Sequence, residues 1–226
     1  MRKTILIALF LGCLTSLASA DMKAGITVSG YQLDANGNED KSGQSRSEDI
    51  AGVTGSIFAE YSIDALNGVA IGLDVVPYEI DMGSVSNARN GANGAQQAAG
   101  NQDNQVGTNS ASVDMQYPIT AYFLVPSEQG LYLKAGVSYA NLNIKESLTT
   151  NTSYPNQELY GGHINVGYEY ELGGNYEYGP GEGAFIRIEA GYSNWATVKA
   201  KSSSGRNTVT ADLDGMSARI SIGKAF

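Results

Sequence analysis

Apolar and polar residues alternate along most of this chain with a period of two, the spacing that puts neighbours on opposite faces of a β-strand. The clearest case is the last stretch, Gly215 to Phe226. Counting back from Phe226, Lys224, Ile222, Ile220, Ala218 and Met216 share one face, while Ala225, Gly223, Ser221, Arg219 and Ser217 share the other.

Seven earlier segments repeat the pattern. The first, 22–33, sets Ala24, Ile26 and Val28 against Lys23, Thr27 and Ser29. The second, 50–64, sets Val53, Ile57, Ala59, Tyr61 and Ile63 against Thr54, Ser56 and Glu60. The third, 69–82, sets Val69, Ile71, Leu73 and Val75 against Asp74, and Pro77 predicts a bulge or the end of regular pairing. In the fourth, 110–125, Val113, Met115, Tyr117, Ile119, Ala121 and Phe123 oppose Asp114, Gln116 and Thr120. In the fifth, 131–148, Leu131, Leu133, Ala135, Val137 and Tyr139 oppose Lys134, Gly136 and Ser138. The sixth, 157–172, sets Tyr160, Ile164, Val166, Tyr168 and Tyr170 against His163, Asn165 and Glu169. The seventh, 184–199, sets Ile186, Ile188, Ala190 and Tyr192 against Arg187, Glu189 and Ser193. No helical periodicity competes. The fold class expected is all-β, eight antiparallel strands running up and down.

The connections alternate too. Those after the first, third, fifth and seventh segments are polar and often long. The longest, 83–109, is a low-complexity run of Ser, Asn, Gly, Ala and Gln that cannot bury a core. Those after the second and fourth are short, and the one after the sixth is intermediate. Loop lengths segregated in this way suit a membrane barrel with long external loops and short periplasmic turns, and both mature ends then lie on the periplasmic side. Tyr61, Phe123, Tyr168, Tyr170 and Phe226 fall near the short-turn end, and Tyr78, Tyr139, Tyr160 and Tyr192 near the long-loop end, as two interfacial belts would require.

Residues 1–20 read as a cleaved signal peptide. Arg2 and Lys3 start it, Ile5 to Leu11 is an apolar run too short to span a bilayer, and Ala18-Ser19-Ala20 has the form of a cleavage site. The mature domain is then 21–226. An alternative is lipidation at Cys13, because Leu11-Gly12-Cys13 loosely resembles a lipobox, although Phe10 stands where Leu is normally wanted. Without Cys13 the mature chain has no cysteine, which excludes disulfides, thiol nucleophiles and cysteine-based zinc sites.

A terminal Phe226 preceded by alternating apolar residues resembles the assembly signal of bacterial outer-membrane β-barrels. The whole mature chain is similar to the OmpA/opacity-like class of small eight-stranded barrels, with no periplasmic domain after Phe226. Lys224 departs from that pattern, which prefers an apolar or aromatic residue there; near the membrane edge a lysine can snorkel. The resemblance implies an outer-membrane location, with lipid, lipopolysaccharide and the barrel-assembly machinery as partners, the last through the Phe226 strand. It also implies a monomer whose loops serve adhesion or surface interaction. A soluble lipocalin-like carrier is the competing fold, with its apolar face inside.

Composition narrows the partners further. The chain carries 14 Lys+Arg against 23 Asp+Glu, net −9, and about −11 once Arg2 and Lys3 leave with the leader. Such acidity argues against nucleic acid, which needs clustered cations.

Candidate chemistry is sparse. The inward-facing set holds Lys23, Lys134, Arg187 and Arg219 with Glu60, Asp74, Asp114, Glu169 and Glu189. An eight-stranded barrel is wide enough only to be filled by its own side chains, so mixed charges are expected to pair and plug it. The alternative is a narrow path for ions or small solutes. His163 is the sole histidine, and barrel-type lipid A deacylases place Ser two residues after His on the lipid face, where this chain has Asn165. No catalytic residue, cofactor or metal is therefore expected. Asp34-Ala35-Asn36-Gly37-Asn38-Glu39-Asp40 resembles the start of a calcium loop, but Glu39 and Ser45 stand where glycine and glutamate are required, so a solvated turn is expected. Lys199, Lys201 and Arg206 cluster near an external loop where they could meet lipopolysaccharide phosphates.

Overall fold

The computed structural model describes residues 22–40, 43, 45–89, 107–127, 129–148, 153–172, 183–205 and 207–226. The signal-peptide and Cys13 readings, the middle of the low-complexity run and Arg206 lie outside these residues.

Nine strands are present: β1 (Met22–Glu39), β2 (Ser45–Ile63), β3 (Val69–Val75), β4 (Glu79–Arg89), β5 (Gly107–Pro126), β6 (Leu131–Ser147), β7 (Gln157–Leu172), β8 (Gly183–Lys201) and β9 (Thr208–Ala225). All pair antiparallel. The ring runs β3-β2-β1-β9-β8-β7-β6-β5 and closes by β3 pairing with β5, so eight strands make the barrel and β4 extends it. The terminal strand closes the circle from the other side: β9 pairs with β1 from Lys23↔Ala225 to Glu39↔Val209, and the Phe226 backbone N–H donates to the Met22 carbonyl at 2.8 Å. Closure removes sheet edges, which allows such a wall to sit in an apolar medium.

The expected faces hold around most of the wall. Ile26, Val28, Val53, Val137, Val166, Ile188 and Ile220 are exposed on the outside, whereas Thr27, Ser56, Glu60, Asp74, Lys134, Arg187 and Glu189 are buried inside. A soluble barrel would reverse these faces. All nine aromatic residues assigned to the two belts are exposed on the outer wall. Lys224 packs its ammonium 5.1 Å from the centre of the Phe226 ring, so the departure from the terminal pattern is accommodated by a cation–π contact.

Three expectations are corrected. The polar runs 34–39, 45–49 and 83–89 are strand rather than loop; Asp34 pairs in register with both Asp49 and Asp214. Strands of 16 to 20 residues at about 3.3 Å per residue outrun an apolar band about 25 Å tall, so their polar ends stand beyond it. The solvated turn expected at Asp34–Asp40 is corrected for the same reason, because most of that stretch is extended ladder.

The third correction is in β5. Tyr117 takes a left-handed backbone (φ 45°), and the pairing with β6 shifts register between Gln116 and Ile119 around Pro118. A bulge of this kind inverts the faces beyond it. Met115 is therefore buried in the lumen, and Asp114 pairs with Lys145 at 2.5 Å on the outer wall, not with the lumen charges.

Opposite this bulge the chain breaks at Val76-Pro77-Tyr78, as Pro77 led one to expect. Below the break β3 pairs with β2 from Ile57↔Val75 to Ile63↔Val69. Above it β4 pairs only with β5, and among the described residues no ladder joins β4 to the outer part of β2. The Tyr78 hydroxyl spans this gap, accepting from the Gly55 N–H and bonding Thr54 Oγ1 at 2.9 Å.

Candidate functional site in the barrel lumen

The lumen has three levels. The innermost from the short-turn side is ionic. Arg187 on β8 sends Nη1 and Nη2 to the two Glu60 oxygens on β2, at 2.5 and 2.6 Å, and Nε to Glu169 on β7 at 2.6 Å. Glu169 also takes Lys23 from β1 at 2.5 Å. A second group joins Lys134 (β6) to Glu189 (β8), Glu189 to Arg219 (β9) at 3.3 Å, and Arg219 to Asp74 (β3). Every expected lumen charge except Asp114 is present, as four cations with four carboxylates. The strand period explains the convergence: the eight charges sit on inward positions of seven strands, with Arg187 and Glu189 two residues apart on β8.

Aromatic rings fill the space between these groups. The Arg187 guanidinium lies 4.7 Å from the Phe185 ring centre and 5.4 Å from those of Phe58 and Tyr132. Lys134 lies 4.8 Å from the Tyr122 ring, and the Tyr122 hydroxyl donates to Glu60 at 2.7 Å. The rings lie flat against the wall because Gly72 and Gly167 stand behind Tyr122 and Tyr132; a Cβ at either glycine would collide with the ring. Sequence reading missed these rings as lumen groups. Their signal was present, since Phe58, Tyr132 and Phe185 each precede an inward charge by two residues. Below this layer a cavity of about 280 Å³ faces the short turns, lined by Lys23, Ser62, Tyr132, Glu171 and Arg187 among others.

The second level is a belt of small hydroxyl side chains. Thr27 and Ser221 bond at 2.8 Å, and Thr120 and Ser138 at 2.7 Å. His163 belongs here, its Nδ1 3.4 Å from Ser138 Oγ. The structure thus brings a serine to the histidine from a neighbouring strand, not from two residues on. His163 Nε2 is buried and has no hydrogen-bond partner among the described residues.

The third level, toward the long connections, is apolar. Leu33, Met82, Met115, Ala140, Leu142, Leu159 and Leu213 form one buried cluster, with Trp195 packed against it. Among the described residues no group of three or more His, Cys, Asp or Glu is placed to hold a metal ion. Lys199 and Lys201 lie at the outer end of β8, near the Ser202–Asn207 connection.

No protein-family profile matches the sequence, and no curated protein matches it. Solved structures do. OprG, an outer membrane protein of Pseudomonas aeruginosa, matches at TM-score 0.55 and 10% identity, over 91% of this chain and 95% of that one. Ail, the attachment invasion locus protein of Yersinia pestis, covers 88% of this chain and 99% of its own at 11% identity and TM-score 0.42. Neisserial surface protein A covers 90% and 99% at 13% identity and TM-score 0.43. At such identities the likeness is one of fold, that of small outer-membrane β-barrels.

Proposed function

We propose, from the premise that this chain has the fold of the small outer-membrane β-barrels, that it is a closed surface barrel of the bacterial outer membrane. The observation that carries this reading is the ionic layer. Its four cations and four carboxylates, packed with Tyr122, Tyr132, Phe58 and Phe185, occupy the lumen cross-section and consume one another's charge. Water and ions crossing the barrel would have to separate pairs whose partners are already desolvated.

The apolar outer face and its two aromatic belts supply the membrane contact. The polar strand ends and long connections are then held above the outer leaflet. Adhesion or another surface interaction is the role such an arrangement serves, with lipid and lipopolysaccharide around the wall and the assembly machinery engaging the Phe226 strand. The chain acts as a monomer and carries no enzyme chemistry, His163 being a lumen-packing residue. A conducting pore for ions or small solutes is disfavoured by the same ionic layer.

An epitope inserted within residues 90–106 tests the surface role. Antibody should label intact cells, and the membrane fraction should show a heat-dependent gel shift. Labelling only after permeabilisation, or protein recovered soluble from the periplasm, would overturn the reading.

A further inference from the structure

Among the described residues, the outer wall carries one cation at its short-turn end, Lys224 on β9. Lys23 at the same end is bound to Glu169 in the lumen, and Arg46, Lys145, Lys199 and Lys201 stand at the opposite ends of their strands. We propose that Lys224 and the hollow beside it hold the phosphodiester of an anionic phospholipid in the periplasmic leaflet, with one of its acyl chains lying along Ile26, Ile186 and Ile222. The proposal rests on the outer-membrane reading and names the lipid that one stretch of the wall selects.

Three observations lead there. The first is an unmatched charge. An ammonium offers three donors. Among the described residues Lys224 Nζ has no hydrogen bond and no ion pair, and its neighbour is the Phe226 ring, 5.1 Å to the centre. A ring face attracts the cation without neutralising it, so the charge is left for an anion.

The second is shape. Lys224 pairs in register with Ala184 on one side and Ala24 on the other, and Ala24 pairs with Ala59. Two residues further into the wall the matching row is Ile186, Ile222, Ile26 and Ile57. The methyl row leaves room beside the ammonium, and the isoleucine row next to it offers an apolar face. That order, charge at the rim and hydrocarbon inward, is the order of a phospholipid.

The third is depth. Lys224 lies at the end of the terminal strand, beside Phe226 of the lower aromatic belt, and such belts sit at the headgroup level. Charge then fixes the class. A zwitterionic headgroup brings a cation of its own to a site that already holds one, whereas a phosphodiester carrying a neutral polyol does not. The departure of Lys224 from the usual terminal pattern thereby gains a role.

The test uses the mature barrel refolded in non-ionic detergent micelles. Native mass spectrometry compares the first bound molecule of dioleoylphosphatidylglycerol with that of dioleoylphosphatidylcholine. Wild type should hold the glycerol lipid about fivefold more tightly, the scale set by one cation at an anionic surface. Lys224→Gln should erase the preference and Lys224→Arg should keep it. Ala184→Leu, which fills the hollow and spares the ammonium, should reduce it to less than twofold. Lys199→Gln, at the opposite end of the wall, should leave it unchanged. No preference in wild type, or a preference retained by heat-shiftable Lys224→Gln, would overturn the site. Equal loss in Lys199→Gln would mean attraction to cations anywhere on the chain and would overturn it too. If Lys224→Gln shows no heat-dependent gel shift, Ala184→Leu decides, and an undiminished preference there overturns the site. Loss of the preference with the gel shift intact leaves the closed-barrel reading standing, whereas wild type without a gel shift would overturn that reading and the site with it.

Discussion

Between Arg187 and Leu33 the interior of the barrel changes from ionic to apolar, and its two halves are held by different physics. In the lower half, eight charges are desolvated together, and each is tolerable only because its partners are in place. In the upper half, leucine and methionine side chains pack as they would in a soluble core, although they are surrounded by a wall whose outer face is itself apolar. The lower half therefore has specific partners and fails sharply when one is removed. The upper half has interchangeable neighbours and fails in proportion to the volume lost. The same contrast runs through the wall. Around the lower barrel every strand is paired on both sides, whereas among the described residues no ladder joins β4 to the outer part of β2, and the Tyr78 hydroxyl crosses there.

The sharpest way to break the lower half is Arg187→Leu, which removes both guanidinium bonds from Glu60 and leaves Glu169 with Lys23 alone. A loss of about 3–5 kcal/mol is expected, read as a lower urea midpoint of the refolded barrel. Leu159→Ala in the upper cluster should cost about 3 kcal/mol by leaving a cavity at a side chain that is 1% exposed. The two should add, because their sites share no partner; strong coupling in the double variant would show that the halves are not independent. Tyr122→Phe keeps the ring against Lys134 and removes only the hydrogen bond to Glu60, so about 1.5–3 kcal/mol is expected from the same unfolding assay. Lys145→Ala, which removes the outer-wall pair with Asp114, should leave the midpoint unchanged, since an exposed pair is screened by water. A large effect there would contradict the assignment of Asp114 to the outer wall.

Much of the lower half was legible in the sequence. Lys134, Arg187, Glu189 and Arg219 each sit on the polar parity of a strongly alternating strand, and parity alone places them inside once the apolar face is known to be outside. The upper half was less legible, for two physical reasons. Hydrophobic alternation marks only the part of a strand that meets lipid, so the polar ladder of Asp34, Asp49 and Asp214 looked like loop. And the bulge at Tyr117-Pro118 inverts parity without leaving a composition signal strong enough to locate it, so Met115 was assigned to the wrong face. Pro77 did announce the break in the third strand. That its consequence is an unpaired stretch of β2 follows from pairing, which a single sequence does not display.

The claim on which the account rests most heavily is that the ionic layer closes the lumen. Planar-bilayer recording of the refolded wild-type barrel tests it directly. The account predicts a quiet membrane, with no discrete conductance steps at high salt or across the accessible voltage range. Reproducible single-channel steps from the heat-shiftable barrel, altered by Arg187→Ala or Arg219→Ala, would contradict it and establish a water path through the charges.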